Sequence, residues 1–141
     1  MLNGCANSLR VEQPKTPLLF DTYDFTDPDN SEDGYRAFDY MGRTYIPYAE
    51  LKNRITRGEV GDCIGFVVQD GEEHGEWVVR LKAFESEDVL MIYYPMGLMD
   101  PPHFYRAIDT KGKELALPAY MDTEGFGYDY WRETGKASRP F

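Results

Sequence analysis

Residues 89–94, Val-Leu-Met-Ile-Tyr-Tyr, form an uninterrupted apolar run that follows the charged turn Glu85–Asp88. A run that is rich in β-branched and aromatic residues and has no polar interruption indicates a strand buried on both faces. Three segments of similar composition are predicted to join it in one sheet: Cys63–Gln69, Trp77–Lys82 and Phe104–Ile108. The short connections favour antiparallel neighbours, because parallel neighbours need crossovers of about a dozen residues or more.

A hairpin is predicted upstream of these strands. Aromatic and β-branched residues between positions 38 and 48 flank the turn Met41-Gly42, and Pro47 is expected to end the second strand. The next segment, Ala49–Arg57, carries Leu51 and Ile55 four residues apart, which predicts one short helix packed on the sheet.

Two further strands are predicted downstream. Residues 108–117 repeat the turn chemistry of the first hairpin around Asp109–Gly112, and they predict a second hairpin. The aromatic residues Phe126, Tyr128 and Tyr130 alternate, as expected of a last edge strand with one aromatic face.

The fold class predicted from these elements is α+β: a mostly antiparallel, strongly twisted, barrel-like sheet of about six strands with one short helix. Residues 1–34 contain three prolines and are interpreted as a flexible leader, within which Leu18-Leu19-Phe20 could add a short first strand. Residues 35–131 form the single β-rich domain, and residues 132–141 form a polar tail.

The chain carries a formal net charge of −10. A field of that sign repels phosphate backbones and anionic lipid, so nucleic acid and membrane binding through basic residues are both disfavoured. A cationic partner, or simple solubility, agrees better with this charge. No window approaches the ~18–20 apolar residues that a membrane span needs.

The first residues, Leu2-Asn3-Gly4-Cys5, resemble the end of a bacterial lipoprotein signal peptide, in which the cysteine becomes the lipidated first residue. The basic and apolar parts of such a signal do not precede it here. Cys5 is therefore a predicted lipidation site, and a chance Gly-Cys pair in a loose terminus is the alternative. The other cysteine, Cys63, lies in an apolar run and is expected to be a buried small hydrophobe.

The sequence gives little support for catalysis. The chain is therefore predicted not to be an enzyme and to need no cofactor. There is no Gly-x-Ser-x-Gly elbow and no phosphate loop, and the two histidines, His74 and His103, lack a zinc-type spacing. The carboxylate clusters 72–76 and 85–88 are interpreted as solvated turns, where nothing would raise the pKa of a carboxyl group as acid catalysis requires.

One segment offers a weak metal candidate. Asp29, Ser31 and Asp33 match the first positions of an EF-hand loop, but Tyr40 stands where the bidentate glutamate is needed. A solvated turn rich in Asp and Asn is favoured over a calcium site.

The connection 95–104 is apolar and rich in methionine, whereas surface connections are normally polar. Such a loop marks an adaptable binding surface, or it folds back and plugs one end of the core. The aromatic residues near the C-terminus could extend the same surface or belong to the core. The candidate ligand-binding residues are Met96, Leu98, Met99, His103, Phe104, Tyr128, Tyr130 and Trp131.

Four motifs in this order resemble a group of small, uncharacterised lipoproteins of Gram-positive (Firmicutes) gut bacteria, over residues 35–131. They are Gly42-x-x-Tyr45-x-Pro47-Tyr48, Gly61-x-Cys63-Ile64-Gly65-x-Val67, Leu81-Lys82-Ala83-Phe84 and Phe104-Tyr105-Arg106-Ala107-Ile108-Asp109. A more distant similarity links the chain to the lantibiotic-immunity lipoproteins. That resemblance implies a lipid-anchored β-rich domain that intercepts cationic peptide antibiotics at the membrane, and it assigns no contact residue.

The sequence thus favours a non-catalytic binding protein, anchored through Cys5 at the extracellular face of the cytoplasmic membrane. Its ligand would be a cationic peptide or an envelope protein. Two alternatives stay open. One is a carbohydrate or cell-wall module that stacks sugars on Tyr128, Tyr130 and Trp131. The other is an acidic intracellular partner protein of the antidote type, which requires an unmodified Cys5.

Overall fold

A computed structural model of the chain describes residues 9–96, 100–123 and 128–132. In those ranges nine strands form one strongly curled, half-barrel sheet. The strands are β1 Leu18–Asp21, β2 Tyr23–Asp27, β3 Asn30–Tyr40, β4 Arg43–Leu51, β5 Val60–Gln69, β6 Glu72–Leu81, β7 Val89–Tyr93, β8 His103–Ala107 and β9 Met121–Asp122. The expectation of a β-rich, barrel-like sheet is confirmed, but the described residues form nine strands rather than about six.

The strand order is β1-β5-β6-β7-β8-β4-β3-β2, with β9 added at the end of β4. Only the β1–β5 pair is parallel, and every other pair is antiparallel. The ring of Phe20 in β1 packs on Phe38 and Tyr40 of β3, with centroids 5.4 and 5.9 Å apart. The two sides of the sheet therefore meet across an enclosed interior.

The predicted central strand is confirmed as β7, in which all five residues are buried. Its side chains alternate between two cores, as a strand covered on both faces requires. Leu90 and Ile92 point into the barrel, and Val89, Met91 and Tyr93 point to the outer core. The interior core comprises Phe20, Phe38, Tyr40, Tyr45, Ile64, Val67, Val78, Leu90, Ile92, Tyr105 and Ala107.

The predicted helix over Ala49–Arg57 is wrong. β4 continues through Leu51, because Glu50 pairs with His103 on one side and with Asp122 on the other. These backbone pairs outweigh the helical spacing of Leu51 and Ile55, as tertiary context commonly does for short segments. The helical residues of the described chain are short 3-10 turns, the first at Arg57–Glu59, and none could span a membrane.

The interpretation of residues 1–34 as a leader needs correction from residue 9 onward. Leu9 and Val11 are buried in the outer core, and the Leu9 amide donates a hydrogen bond of 3.1 Å to the Tyr93 hydroxyl. The suggested strand at Leu18–Phe20 exists as β1, and β2 and the first part of β3 follow it. The apolar outer face of the sheet needs a cover, and this segment supplies part of it.

The hairpin around Met41-Gly42 is confirmed as β3–β4, with φ of 54° and 77° at the two turn residues. The hairpin predicted over 108–117 is wrong, since Ile108–Thr110 is a 3-10 turn and no strand follows before β9. Arg106 explains the difference: its guanidinium donates to the carbonyls of Thr110 and Lys113, at 2.7 and 2.8 Å. These bonds curl the chain back on itself.

The expected final edge strand is also not what the structure shows. Asp129–Trp131 forms a 3-10 turn that packs against β3 and β4, and Phe126 lies outside the described residues.

The parallel β1–β5 pair depends on Gly65. A Cβ atom at this position would lie 2.0 Å from the carbonyl oxygen of Leu18 and 2.7 Å from that residue's carbonyl carbon. Real Cβ atoms do not approach backbone so closely, so only glycine lets β1 lie this near to β5.

We expect Gly65→Ala to lower the free energy of unfolding by about 2 kcal/mol or more, because β1 must move away from β5. Urea denaturation followed by circular dichroism measures the change. Gly58→Ala is the matched control, since a Cβ there meets nothing within 4 Å. It should change stability by less than about 0.5 kcal/mol. Equal effects of the two substitutions would contradict the close approach of β1.

Candidate functional site

Strand alternation places charged residues inside the barrel at both of its ends. On β3 the inward positions are Arg36, Phe38 and Tyr40, and β6 matches them with Glu76, Val78 and Arg80. The middle residue of each series joins the apolar interior core. The outer residues of each series form two separate polar groups, one at each end of the barrel.

The first group, named here the Glu50 cluster, comprises Arg36, Glu50, Glu76, Tyr94, His103, Tyr105 and Tyr128. Its centre is a bidentate ion pair in which Arg36 donates to both carboxylate oxygens of Glu76, each at 2.9 Å. Arg36 Nε also donates to the Tyr105 hydroxyl at 3.0 Å, and Tyr94 donates to Glu76 at 2.9 Å. Parallel bonds of this kind fix orientation as well as charge.

The second half of the Glu50 cluster is built on Glu50 itself. This carboxylate contacts His103 Nδ1 through one oxygen and accepts a hydrogen bond of 2.6 Å from the Tyr128 hydroxyl through the other. The Tyr94 ring stands edge-on to the imidazole, with centroids 5.7 Å apart, and links the two halves. His103 keeps 35% of its side chain exposed, whereas Glu50 keeps 10%, so the imidazole lies at the boundary with solvent.

The protonation of the cluster follows from burial and charge. Burial alone would raise the pKa of Glu76, but the hydrogen bonds and charge of Arg36 outweigh it and hold that pKa below its ordinary value. Burial, the charge of Glu76 and the hydrogen bond to it raise the pKa of Tyr94. Burial and the bond to Glu50 raise that of Tyr128. Both phenols therefore stay protonated and act as donors.

The second group lies at the opposite end, where Arg80 donates to Glu87 and, at 3.0 Å, to the Tyr40 hydroxyl. Arg43 of β4 makes most of the bonds at this end. Its guanidinium bonds to Asp88 at 2.7 Å and to the two carboxylate oxygens of Asp109 at 2.8 and 2.9 Å. It also donates to the Ser86 carbonyl at 2.9 Å. The Lys113 ammonium donates to the other carboxylate oxygen of Asp88 at 2.8 Å. These bonds tie the β6–β7 turn to the hairpin and to the segment after β8, which is a structural role.

The structure separates the sequence-predicted binding residues that it describes into three sets, of which the first is His103 with Tyr128 and the second is Met96 alone. His103 and Tyr128 come together on Glu50, and Met96 is 73% exposed in the β7–β8 connection. Leu98 and Met99 lie outside the described residues.

Phe104, Tyr130 and Trp131 form the third set: Phe104 and Tyr130 are core residues, and Trp131 is half-buried against the core. Phe104 is fully buried on the outer face, and Tyr130 is 7% exposed. The Trp131 indole donates to the Pro47 carbonyl at 2.6 Å, and its ring covers Arg106 at 4.7 Å.

Sequence reasoning missed Arg36, Glu50 and Glu76. Glu50 was placed on a helix, and Glu76 was assigned to a solvated turn, although it is 8% exposed. The sequence around Glu76 could have indicated its position. Glu76 and Arg80 are each two residues from Val78, so in a strand they point to the same side as this buried valine.

Asp29 lies in the two-residue turn between β2 and β3, whereas Ser31 and Asp33 are part of β3. Asp27 accepts the Asp29 amide at 2.8 Å, and the Asn30 side chain donates to Asp33 at 3.1 Å. Across the described ranges, no three His, Cys, Asp or Glu side chains are grouped so that they could hold a metal ion. Cys63 is buried as expected, and burial raises the pKa of its thiol to about 11.

Exposed carboxylates lie at the same end of the barrel as the Glu50 cluster. The register that pairs Trp77 with Tyr93 and Ile92 with His103 brings the β5–β6 turn and the β7–β8 connection to this end. Four exposed acidic residues lie in the β5–β6 turn, at the start of β6 and in the β7–β8 connection, none with an ion-pair partner among the described residues: Asp70, Glu72, Glu73 and Asp100. Lys52, just after β4, is an exposed cation at the same end.

Comparison of the chain with protein-family models, curated proteins and solved structures gave no match.

We expect Glu76→Gln to lower the free energy of unfolding at pH 7 by about 1–3 kcal/mol, because it leaves Arg36 inside the barrel without a charged partner. The lowered pKa of Glu76 means that the Arg36–Glu76 pair stabilises the fold at pH values above the ordinary pKa of a glutamate. This stabilisation is lost as the pH falls through the lowered value. Urea denaturation from pH 7 to pH 3 should therefore show the two proteins converging in acid.

Glu73→Gln removes the same charge from an exposed position of β6 and serves as the control. Its effect should stay within about 0.5 kcal/mol at every pH. A Glu76→Gln deficit that persists undiminished at pH 3 would contradict the ion-pair explanation.

Proposed function

We propose that the chain is a non-catalytic binding protein that recognises a cationic peptide or a basic segment of an envelope protein. The observation that carries this proposal is the juxtaposition, at one end of the barrel, of unpaired surface carboxylates, the exposed Met96 and the ordered Glu50 cluster. An amphipathic cationic peptide presents the complementary features, which are positive charge and apolar side chains.

The Glu50 cluster suits the role of a rigid base beneath such a surface. The bidentate Arg36–Glu76 pair and the two bonds to Glu50 hold its side chains in fixed positions, and preorganised groups bind at a lower entropic cost. The Glu50 and Glu76 carboxylates are already bound to partners inside the cluster. That arrangement favours recognition by the surrounding loops over chemistry at the cluster itself.

Lipid anchoring at Cys5 belongs to the same proposal, although Cys5 lies outside the described residues. Because Leu9 is already packed on the sheet, only three residues separate a lipidated Cys5 from Leu9. Chain geometry limits that reach to about 14 Å. An anchored domain would therefore sit directly at the membrane surface, where cationic amphipathic peptides accumulate.

The carbohydrate alternative loses support from the placement of its three aromatic residues. Tyr130 is buried, Trp131 is bound to Pro47 and stacked on Arg106, and Tyr128 is bonded to Glu50. Sugar stacking needs open aromatic faces; Tyr130 offers none, Arg106 covers one face of the Trp131 ring, and Tyr128 is half-buried. The intracellular alternative depends on the state of Cys5.

We expect the protein to bind a set of amphipathic cationic antibiotic peptides with an affinity that falls as salt increases, since exposed charges attract the ligand. Glu72→Gln combined with Glu73→Gln should weaken binding about tenfold at low salt, and Met96→Ser should weaken it further by removing apolar contact. Isothermal titration calorimetry at two salt concentrations measures both effects.

A matched control removes two exposed carboxylates from the opposite end of the barrel, through Glu85→Gln and Glu114→Gln. This variant should bind as the parent does. Equal weakening by both double substitutions would show attraction by net charge alone, and the absence of salt-sensitive binding to every peptide would refute the proposal.

Lipidation is tested separately with protein expressed with its native upstream region in its own host. We expect a diacylglyceryl mass increment on the membrane-fraction protein, and Cys5→Ser should move the chain to the soluble fraction. An unmodified cytosolic chain would instead favour the intracellular partner protein. Intact-mass spectrometry and membrane fractionation distinguish these outcomes.

A further inference from the structure

A cleft lies away from the Glu50 cluster, between the N-terminal segment and the β5–β6 pair. It has a volume of about 830 Å³ and is bounded by Leu9–Lys15, Arg57, Val60–Cys63, Arg80 and Lys82. Small-molecule sites commonly occupy about 300–1,000 Å³, so this cleft is of a suitable size.

The charge of this cleft is opposite to that of the whole chain. Five cationic side chains and two carboxylates line it, although the protein has a net charge of −10. Arg80 is engaged by Glu87 and lies 3.9 Å from Asp62. The other four cations have no carboxylate within 4 Å among the described residues, and they are Arg10, Lys15, Arg57 and Lys82.

Four unpaired cations around one cleft repel one another, and an anion between them relieves that repulsion. Arginine and lysine together suit phosphate, because a guanidinium offers a planar pair of donors and an ammonium adds a compact charge. The cations line a cleft whose wall also includes Leu9, Val11 and Val60. A ligand with an anionic group and an apolar part satisfies both features.

We propose that this cleft binds a phosphate ester that carries an apolar group. Such chemistry comes either from a soluble phosphate ester or from the headgroup region of an anionic phospholipid. The lipid source deserves a separate test, because Leu18 and Leu19 are 46% and 61% exposed and begin three residues after Lys15. The proposal concerns a different surface from the peptide-binding end and does not require lipidation at Cys5.

The test uses the unlipidated full chain and three probes: glycerol phosphate, dihexanoylphosphatidylglycerol below its micelle concentration, and vesicles of phosphatidylglycerol with phosphatidylcholine. We expect the short-chain lipid to bind more tightly than glycerol phosphate, since only the lipid uses the apolar wall. Arg57→Gln combined with Lys82→Gln should weaken that binding about tenfold or more. Calorimetry measures the soluble probes, and co-sedimentation measures the vesicles.

The matched control is Lys52→Gln with Arg54→Gln, which removes two exposed cations that do not line the cleft. It should leave the affinity within about twofold of the parent. Binding to anionic vesicles and not to pure phosphatidylcholine, lost in the cleft variant, would support the site and assign it to lipid. Binding of the monomeric probe without vesicle binding would support the site and assign it to a soluble ligand.

Equal weakening by the cleft variant and the control would overturn the proposal, because it would show unspecific attraction. Failure of all three probes to bind would also overturn it. Neither result would affect peptide binding at the Glu50 end, which is measured with different variants.

Discussion

The ion pair between Arg36 of β3 and Glu76 of β6 spans the inside of the barrel and constrains how the sheet curls. Three strands, β7, β8 and β4, separate the partners along the sheet, so a flat sheet could not bring them together. A buried guanidinium or carboxylate without a partner is costly, and each therefore requires the other. The Tyr94 and Tyr105 hydroxyls and the neighbouring Glu50–His103 contact take their positions from this pair.

Much of the sheet was predictable because burial leaves a strong pattern in short strands. The apolar run at 89–94, the Met41-Gly42 turn and the strand around Cys63 all occur as expected. The failures have one cause: contacts distant in sequence override local signals. Glu50 fits a helix until His103 and Asp122 are paired to its backbone, and residues 108–117 fit a hairpin until the Arg106 guanidinium holds their carbonyls. The candidate site failed similarly, because its key residues come from six separate strands or connections.

Net charge is a poor guide to where this protein can bind. A value of −10 predicts attraction of cations everywhere, yet the strands distribute charge unevenly. Exposed acids collect in the loops beside the Glu50 cluster, whereas unpaired cations line the cleft under the N-terminal segment. Local fields within a Debye length of about 8–10 Å decide which partner approaches a given surface. If both proposed sites bind, two surfaces of opposite charge on one small domain would allow two ligands of opposite charge to bind at once.

The parallel pairing of β1 with β5 has a consequence for how the chain folds. β1 is made early during synthesis, but its partner begins at Val60, and the hairpins β2–β3 and β3–β4 are complete before that partner emerges. Because loop closure over such a separation is slow, we expect β1 to dock after these hairpins have formed. Until then the edge of β5 stays unpaired, and Leu18 and Leu19 of the free β1 segment stay exposed. An unpaired edge of this kind is a surface through which two chains can exchange strands.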